Sequence, residues 1–317
     1  MVIINHSGLR SIVSEKYGQE LIDKYGFNRV TYFNEYNPDS KRIFVTRDLG
    51  GLGDMICILP VIQHFHKLGY KIDISVPVQY RVLFEGYQNK FYLETDIKDI
   101  DRQNYKYWLE MFCAAGDYEG EVDFRITKSR IQNFCDVIPD CKPCQPEFKK
   151  IKKKTNKGYI VISLKSKNRV KDWPEESCIE LCKKLKKKKI YIVDDREKLN
   201  YKRTGIISKN NLDIKKLINL VSYADLVISL DTGLLHIAAA LGVNCLGLFG
   251  PTNGKSTVEY YPTVEYISVK NTTRNCFQPC YYNIKHNNCK CRGFIGHCMK
   301  DITPDMVYNK LKELKWL

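Results

Sequence analysis

Asp54 closes a turn crowded with glycine, RDLGGLGD (47–54), between a short apolar run, IFVT (43–46), and a segment of helical spacing, MICILPVIQHFHKLG (55–69). A carboxylate at the carboxyl end of a strand is placed to take a proton from a bound hydroxyl, although the same residue could equally cap the helix that follows. A second turn, Asp231-Thr232-Gly233, lies within SLDTGLLHIAAALGVNCLGLFGPT (229–252), where one buried strand stops and a helix starts. Free backbone N–H groups and the positive end of the helix dipole make such a start a seat for a phosphate. Thr232 would add a hydroxyl, and Gly233 would let a ligand approach the backbone; the competing reading is an ordinary N-cap at Asp231 or Thr232.

A third group could hold a metal. Cys276, Cys280, Cys289, Cys291 and Cys298, with His286 and His297, fall in a polar loop too poor in apolar residues to build its own core. Four of these thiolates, Cys276, Cys280, Cys289 and Cys298, around zinc or iron would organise it; free structural thiols and disulfides are the alternatives. Cys141 and Cys144 form an isolated Cys-x-x-Cys, read either as a metal site or as two surface thiols.

The elements that must position these groups follow from patterning. Residues 9–25 have the mixed apolar and charged pattern of a surface helix, within an extension, 1–42, packed on the first domain. KIDISV (71–76) reads as the second strand, EVDFRI (121–126) as another, and Trp108, Phe112 and Phe134 as core. PDCKPCQPEFKKIKKKTNKG (139–158), with three prolines and a Lys cluster, reads as the linker between a domain at 43–150 and one at 151–317. In the second half, strands at 159–164, 189–194, 225–230, 244–249 and 264–269 alternate with helices at 174–187, 213–224 and 232–241. Continuous apolar strands in such alternation predict a parallel, doubly wound sheet. Thr303 as N-cap and Pro304 at N1 open a last helix.

The chain has 317 residues, 44% apolar and 27% charged, which is the profile of a globular protein with room for two domains. Its net charge of +15 suits an anionic partner. No apolar run reaches the roughly 18 residues of a membrane span, and the start carries no signal-peptide pattern, so a cytoplasmic protein with mostly reduced cysteines is expected.

RDLGGLGDMICILP, KDWP (171–174), DTGLLHIAAALG (231–242), LFGPT (248–252) and HCMKDITPDMV (297–307) stand in the same order as in glycosyltransferase family 9, the heptosyltransferase-like enzymes, which this chain resembles from residue 43 onward with a weak stretch across 78–157. The resemblance implies an α/β fold of the GT-B type, two Rossmann-like doubly wound domains facing each other across a cleft. It also implies inverting, metal-independent sugar transfer, with no catalytic Mg, from a nucleotide diphosphate sugar such as ADP-heptose. Asp54 would be the base. Asp231, Thr232, Gly233 and Leu234 would hold the donor phosphates, with His236 near them. Lys171, at the Lys-x-Trp-Pro position, would neutralise the leaving phosphate, while Trp173 reads as packing. Some relatives hold iron on cysteines like those of the 275–298 loop. Glu197, in VDDREK (193–198) after a strand, is a candidate for the ribose hydroxyls. The acceptor could be a glycolipid, a protein or a modified nucleic acid, with peripheral membrane contact. The competing readings are a degenerate protein that binds a nucleotide or polyanion without turnover, and another GT-B enzyme such as an epimerase.

Overall fold

The computed structural model describes residues 2–6, 9–13, 28–30, 33–48, 50–111, 118–119, 122–123, 127–155, 157–185, 188–194, 206–269, 278–280, 291 and 294–317. Two sheets dominate. The first has strands β4 (Phe33–Glu35), β5 (Arg42–Thr46), β6 (Lys71–Ser75), β7 (Gln88–Tyr92) and β8 (Tyr107–Glu110), in the spatial order β4-β8-β5-β6-β7. Four of these are parallel; β4 pairs antiparallel with β8 and brings the end of the N-terminal extension into the sheet. The second sheet is wholly parallel. It contains β11 (Tyr159–Ile162), β12 (Lys189–Asp194), β13 (Ile206–Asn210), β14 (Leu226–Leu230), β15 (Cys245–Phe249) and β16 (Val264–Ser268), ordered β13-β12-β11-β14-β15-β16. That is the 3-2-1-4-5-6 order of a doubly wound dinucleotide fold.

Strand order reverses at one place in each sheet, between β5 and β8 and between β11 and β14. The chain leaves adjacent strands in opposite directions there, so a crevice opens beyond their carboxyl ends, where ligands of such folds sit. Continuous apolar strands fill both faces: β11, β14 and β15 are buried along their whole lengths.

The N-terminal extension differs from its expected form. Residues Leu9–Val13 are a strand, β2, not the start of a helix; β2 and β3 (Asn28–Val30) flank β1 (Val2–His6) in an antiparallel sheet. LRSIV carries its apolar residues at helical spacing, Leu9, Ile12 and Val13, but ends in two β-branched residues that favour a strand, and pairing with β1 decides between them. The helix expected at 55–69 is two, α1 (Leu52–Cys57) and α2 (Leu59–Lys67), with Ile58 closing the first and Pro60 in the first turn of the second. Pro60 has no N–H to continue α1 and disfavours helical backbone before it. In the region read as a strand at 121–126, the described strand is Val122–Asp123, β10, paired with Tyr118–Glu119, β9. Trp108 and Phe134 are fully buried, and Phe112 lies outside the described residues.

Five further helices matter to the site: α3 (Arg130–Asp136), α4 (Glu175–Lys184), α5 (Ile214–Ser222), α6 (Gly233–Leu241) and α7 (Gly254–Val258). The last two, α8 (His297–Lys300) and α9 (Pro304–Glu313), pack beneath the second sheet, and Thr303 caps α9 by accepting from the Met306 N–H. Among the described residues no helix is long and apolar enough to cross a membrane.

One apolar cluster runs through both halves. Ile56, Ile62 and Phe84 of the first share it with Leu235, Ala238 and Val243 of the second. The contact centres on α1 against α6.

Candidate active site

Both reversal points open onto one cleft of about 810 Å³. Its wall carries Asp54, Lys171, Asp231, Thr232, Gly233, Leu234 and His236, so seven residues separated by up to 182 positions in the sequence meet in one place.

Asp54 enters from α1, two residues behind the start of the helix. Its carboxylate accepts from the Gly51 N–H at 2.9 Å, which is the return half of a capping box. It also faces two guanidinium groups: Arg130 Nε lies 2.9 Å from Oδ1 and Arg47 Nη2 lies 3.9 Å from Oδ2. The capping reading and the cleft reading of Asp54 therefore coexist. Arg47 follows β5 directly and donates from Nη1 to the Met111 carbonyl at 2.7 Å, across the β5/β8 reversal. Arg47 and Arg130 both lie over the Phe134 ring, which sets their forks without competing for their N–H groups. Arg130 escaped the sequence reading because nothing near it in the chain marks it out, and Arg47, though it opens the RDLGGLGD turn, was given no role there; what each does depends on which strands adjoin.

At the second reversal point, Lys171 comes from the loop after β11 and Asp231 from the end of β14. Lys171 Nζ donates to the Asp231 carbonyl at 2.7 Å and lies 3.4 Å from its carboxylate. Burial works to raise the Asp231 pKa, but the Lys171 ammonium outweighs it and holds the group below its ordinary value. The Lys171 loop is itself braced. Trp173 is fully buried and donates from its indole to the Ile302 carbonyl at 2.8 Å; its own N–H bonds the Leu164 carbonyl, and the Gly296 N–H reaches Val170. This explains why KDWP and HCMKDI belong together: the second motif holds up the first, and Trp173 is a packing residue.

Thr232 occupies the N-cap position of α6 in extended backbone, and no side chain caps that helix. Its hydroxyl is 3.3 Å from that of Ser229. The first turn of α6 therefore offers its N–H groups to the cleft at Gly233 and Leu234. Gly233 has a second reason to be glycine: a Cβ there would lie 2.7 Å from Leu52 Cδ2 of α1. Lys128, Lys165, Lys167 and Lys209 add to Lys171 and Arg130 on the wall, six cations against the carboxylates of Asp54 and Asp231. That excess suits a ligand carrying several negative charges at close spacing.

His236 lines the cleft with its Nδ1 edge engaged by neighbouring side chains. Its Nδ1 is 2.5 Å from the Tyr261 hydroxyl, and Cys57 Sγ lies 3.8 Å from the same nitrogen. Burial lowers its pKa and keeps the ring neutral. Burial likewise pushes the Cys57 thiol up to about 12, so it is a neutral filler and not a nucleophile.

The remaining sites are only partly in view. Glu197, Cys276 and Cys289 lie outside the described residues. Cys280 and Cys298 are buried on either side of the Gly250–Pro251 turn: the Cys280 N–H bonds the Pro251 carbonyl, and a Cβ on Gly250 would meet Cys298 Sγ at 2.7 Å. Among the described residues no three His, Cys, Asp or Glu side chains converge as metal ligands; Cys141 is buried in the core, Cys144 is half-buried, and neither lines the cleft. Asp99 and Asp101 form an Asp-x-Asp spacing, but they are exposed and do not line the cleft.

The sequence model of glycosyltransferase family 9 (heptosyltransferase) matches residues 86–285, well over half of the chain; the matched stretch includes Lys171 and Asp231 but not Asp54. The lipooligosaccharide heptosyltransferase 2 of Campylobacter jejuni is 26% identical over 106 residues, which span 33% of this chain and 30% of that protein. Among solved structures, a family 9 glycosyltransferase from Veillonella parvula superposes with a TM-score of 0.63 at 14% identity, covering 88% of this chain and 98% of that one. The iron-containing dodecameric glycosyltransferase TibC of enterotoxigenic E. coli gives 0.67 at 17% identity, over 91% and 78%. The E. coli heptosyltransferase WaaC with ADP gives 0.62 at 13% identity, over 86% and 99%. At these identities the structures speak for the fold, which is the GT-B arrangement of two α/β halves. Two doubly wound sheets and a family match across most of the length lead to one conclusion: the chain belongs to glycosyltransferase family 9.

Proposed function

We propose that this protein transfers a sugar, with inversion at the anomeric carbon, from a nucleotide diphosphate sugar to a hydroxyl of an anionic acceptor. The observation that supports the reading is that one cleft is lined by a carboxylate, Asp54, by an uncapped helix start and by a lysine, Lys171. Direct displacement needs a base on the acceptor side and charge stabilisation on the departing diphosphate. Asp54 would take the acceptor proton while the N–H groups of Gly233 and Leu234 and the Lys171 ammonium receive the charge that develops on the leaving oxygen. These are the protein's own groups, so the reading requires no catalytic Mg. ADP-heptose is the donor to try first, because WaaC has been solved with ADP and with ADP-2-deoxy-2-fluoro heptose. The Campylobacter relative makes a lipooligosaccharide core the first acceptor class to test.

The test is a donor panel. Each sugar nucleotide is added at about 100 times its Kd, where a true donor raises stability by about 2.7 kcal/mol and so raises the melting temperature. Release of nucleoside diphosphate with a lipooligosaccharide acceptor then reads transfer. Stabilisation by free nucleotides with no turnover on any donor and acceptor pair would instead support a binding protein without catalysis.

The cysteine loop has its own expectation. We propose that Cys280 and Cys298 join Cys276 and Cys289 on one zinc or iron, as the name of TibC suggests for iron. Elemental analysis of the purified protein is expected to find about one equivalent per chain, and its removal by a chelator to loosen the Gly250–Pro251 turn. Protein that is metal-free and equally stable would leave the cysteines as ordinary buried thiols.

A further inference from the structure

His236 sits at the one place where the two halves touch most closely. Gly53 and Cys57 are one helical turn apart on α1 and form a shallow groove. The imidazole of His236, on α6, fills it: a Cβ on Gly53 would lie 2.5 Å from Cδ2 and 2.8 Å from Nε2, while Cys57 Sγ flanks Nδ1 at 3.8 Å. Tyr261, from the second half, holds the other side of the ring through its hydroxyl at 2.5 Å. One turn back on α6, Gly233 meets Leu52 in the same bare manner. Asp54 is the next residue after Gly53, and the Asp231-Thr232-Gly233 turn begins the helix that carries His236.

We infer that the His236 ring, seated on the bare backbone of Gly53, is the spacer that sets Asp54 at its working distance from the diphosphate end of α6. His236 is then a positioning residue for transfer, and not a ligand of the donor phosphates. The inference rests on the sugar-transfer reading above and adds the device that aligns its two partners. The distance between base and leaving group is governed by a side chain wedged between two helices and not by a flexible hinge. Glycine at 53 is required by contact alone. Its backbone is helical, and alanine is the better helix former, so any cost of Gly53→Ala must come from the ring it would strike.

The test is a double-mutant cycle. Gly53→Ala should lower kcat about 10²-fold, the scale expected from misplacement by about 1 Å, with ADP binding changed less than about threefold. His236→Ala alone should lower kcat to a similar degree. In the His236→Ala background, Gly53→Ala should cost nothing further, because the vacated space accepts the methyl group. A His236→Phe/Tyr261→Phe variant keeps the ring against Gly53 and leaves no hydroxyl unpaired; its kcat should stay within about tenfold of wild type. Additive losses in the cycle would overturn the spacer, and so would a weakening of ADP binding by about tenfold or more in His236→Phe/Tyr261→Phe, which is the mark of a lost phosphate ligand. If wild-type protein turns over no sugar nucleotide, the transfer reading has failed separately. The spacer contact is then judged by thermal unfolding of the same four proteins: a Gly53→Ala penalty that disappears without the His236 ring sustains it, and an undiminished penalty refutes it.

Discussion

Asp54→Asn is expected to lower transfer about 10²- to 10⁴-fold, the usual contribution of a general base, while ADP binding persists. Asparagine matches the size of aspartate, and its oxygen can still accept from the Gly51 N–H, so the capping contact survives. What is lost is the ability to receive a proton. The Arg130 contact at 2.9 Å would lose its charge, but Asp54 is 27% exposed and solvent screens part of that loss. The variant should therefore fold. Calorimetry with ADP and a single-turnover assay on the same sample separate the two effects. Turnover at the wild-type rate would remove Asp54 from the role of base, and loss of ADP binding would make it a donor ligand instead.

Lys171→Met is the second large effect. The thioether keeps the length of the side chain and removes the ammonium that lies 2.7 Å from the Asp231 carbonyl. Removal of one preorganised group facing developing charge costs about 10²- to 10³-fold in kcat. A stability cost accompanies it. Both side chains of the pair are 12% exposed, and breaking such a buried pair leaves a carboxylate without its cation, at a cost of about 3–5 kcal/mol. The pH dependence gives an independent check. Asp231 has its folded pKa depressed, so its ionised form stabilises the fold above the ordinary carboxylate range, and that contribution is lost as pH falls through the depressed value. Without Lys171, burial raises the Asp231 pKa with less opposition, so less of the stability at neutral pH depends on its ionised form and the acid-side loss of stability from this group should shrink. Denaturant titrations across the acid range read this directly. An unchanged kcat, or an unchanged acid limb, would place Lys171 on the surface like the many other lysines of the chain.

The two turns and the second sheet were legible in the residues. Strands such as LVISL and CLGLF hold one polar side chain between them, Ser229, which suits a sheet covered on both faces, and the helices between them fix the parallel order. The first half was harder to read. Its N-terminal strand β2 has apolar residues at helical spacing, and the break between α1 and α2 at Ile58 hides inside a run whose apolar spacing looks continuous. Arg130 had no local mark at all, since its value lies in reaching Asp54 from a helix 76 positions away.

Glycine shows the same divide from the other side. Gly53 and Gly233 read in the sequence as turn or ligand glycines, because their neighbours are a carboxylate and a threonine. In the folded protein each faces a side chain of the opposite helix, His236 and Leu52. Local chemistry, set by residue type and the period of each segment, determined that this chain builds parallel α/β sheets with a carboxylate turn and a Thr-Gly helix start at strand ends. Only the tertiary structure decided that both turns open on one cleft, which arginines flank Asp54, and that His236 faces a glycine. Those are distances between segments far apart in the chain, set by strand order and helix packing, and no periodicity within a single segment encodes them.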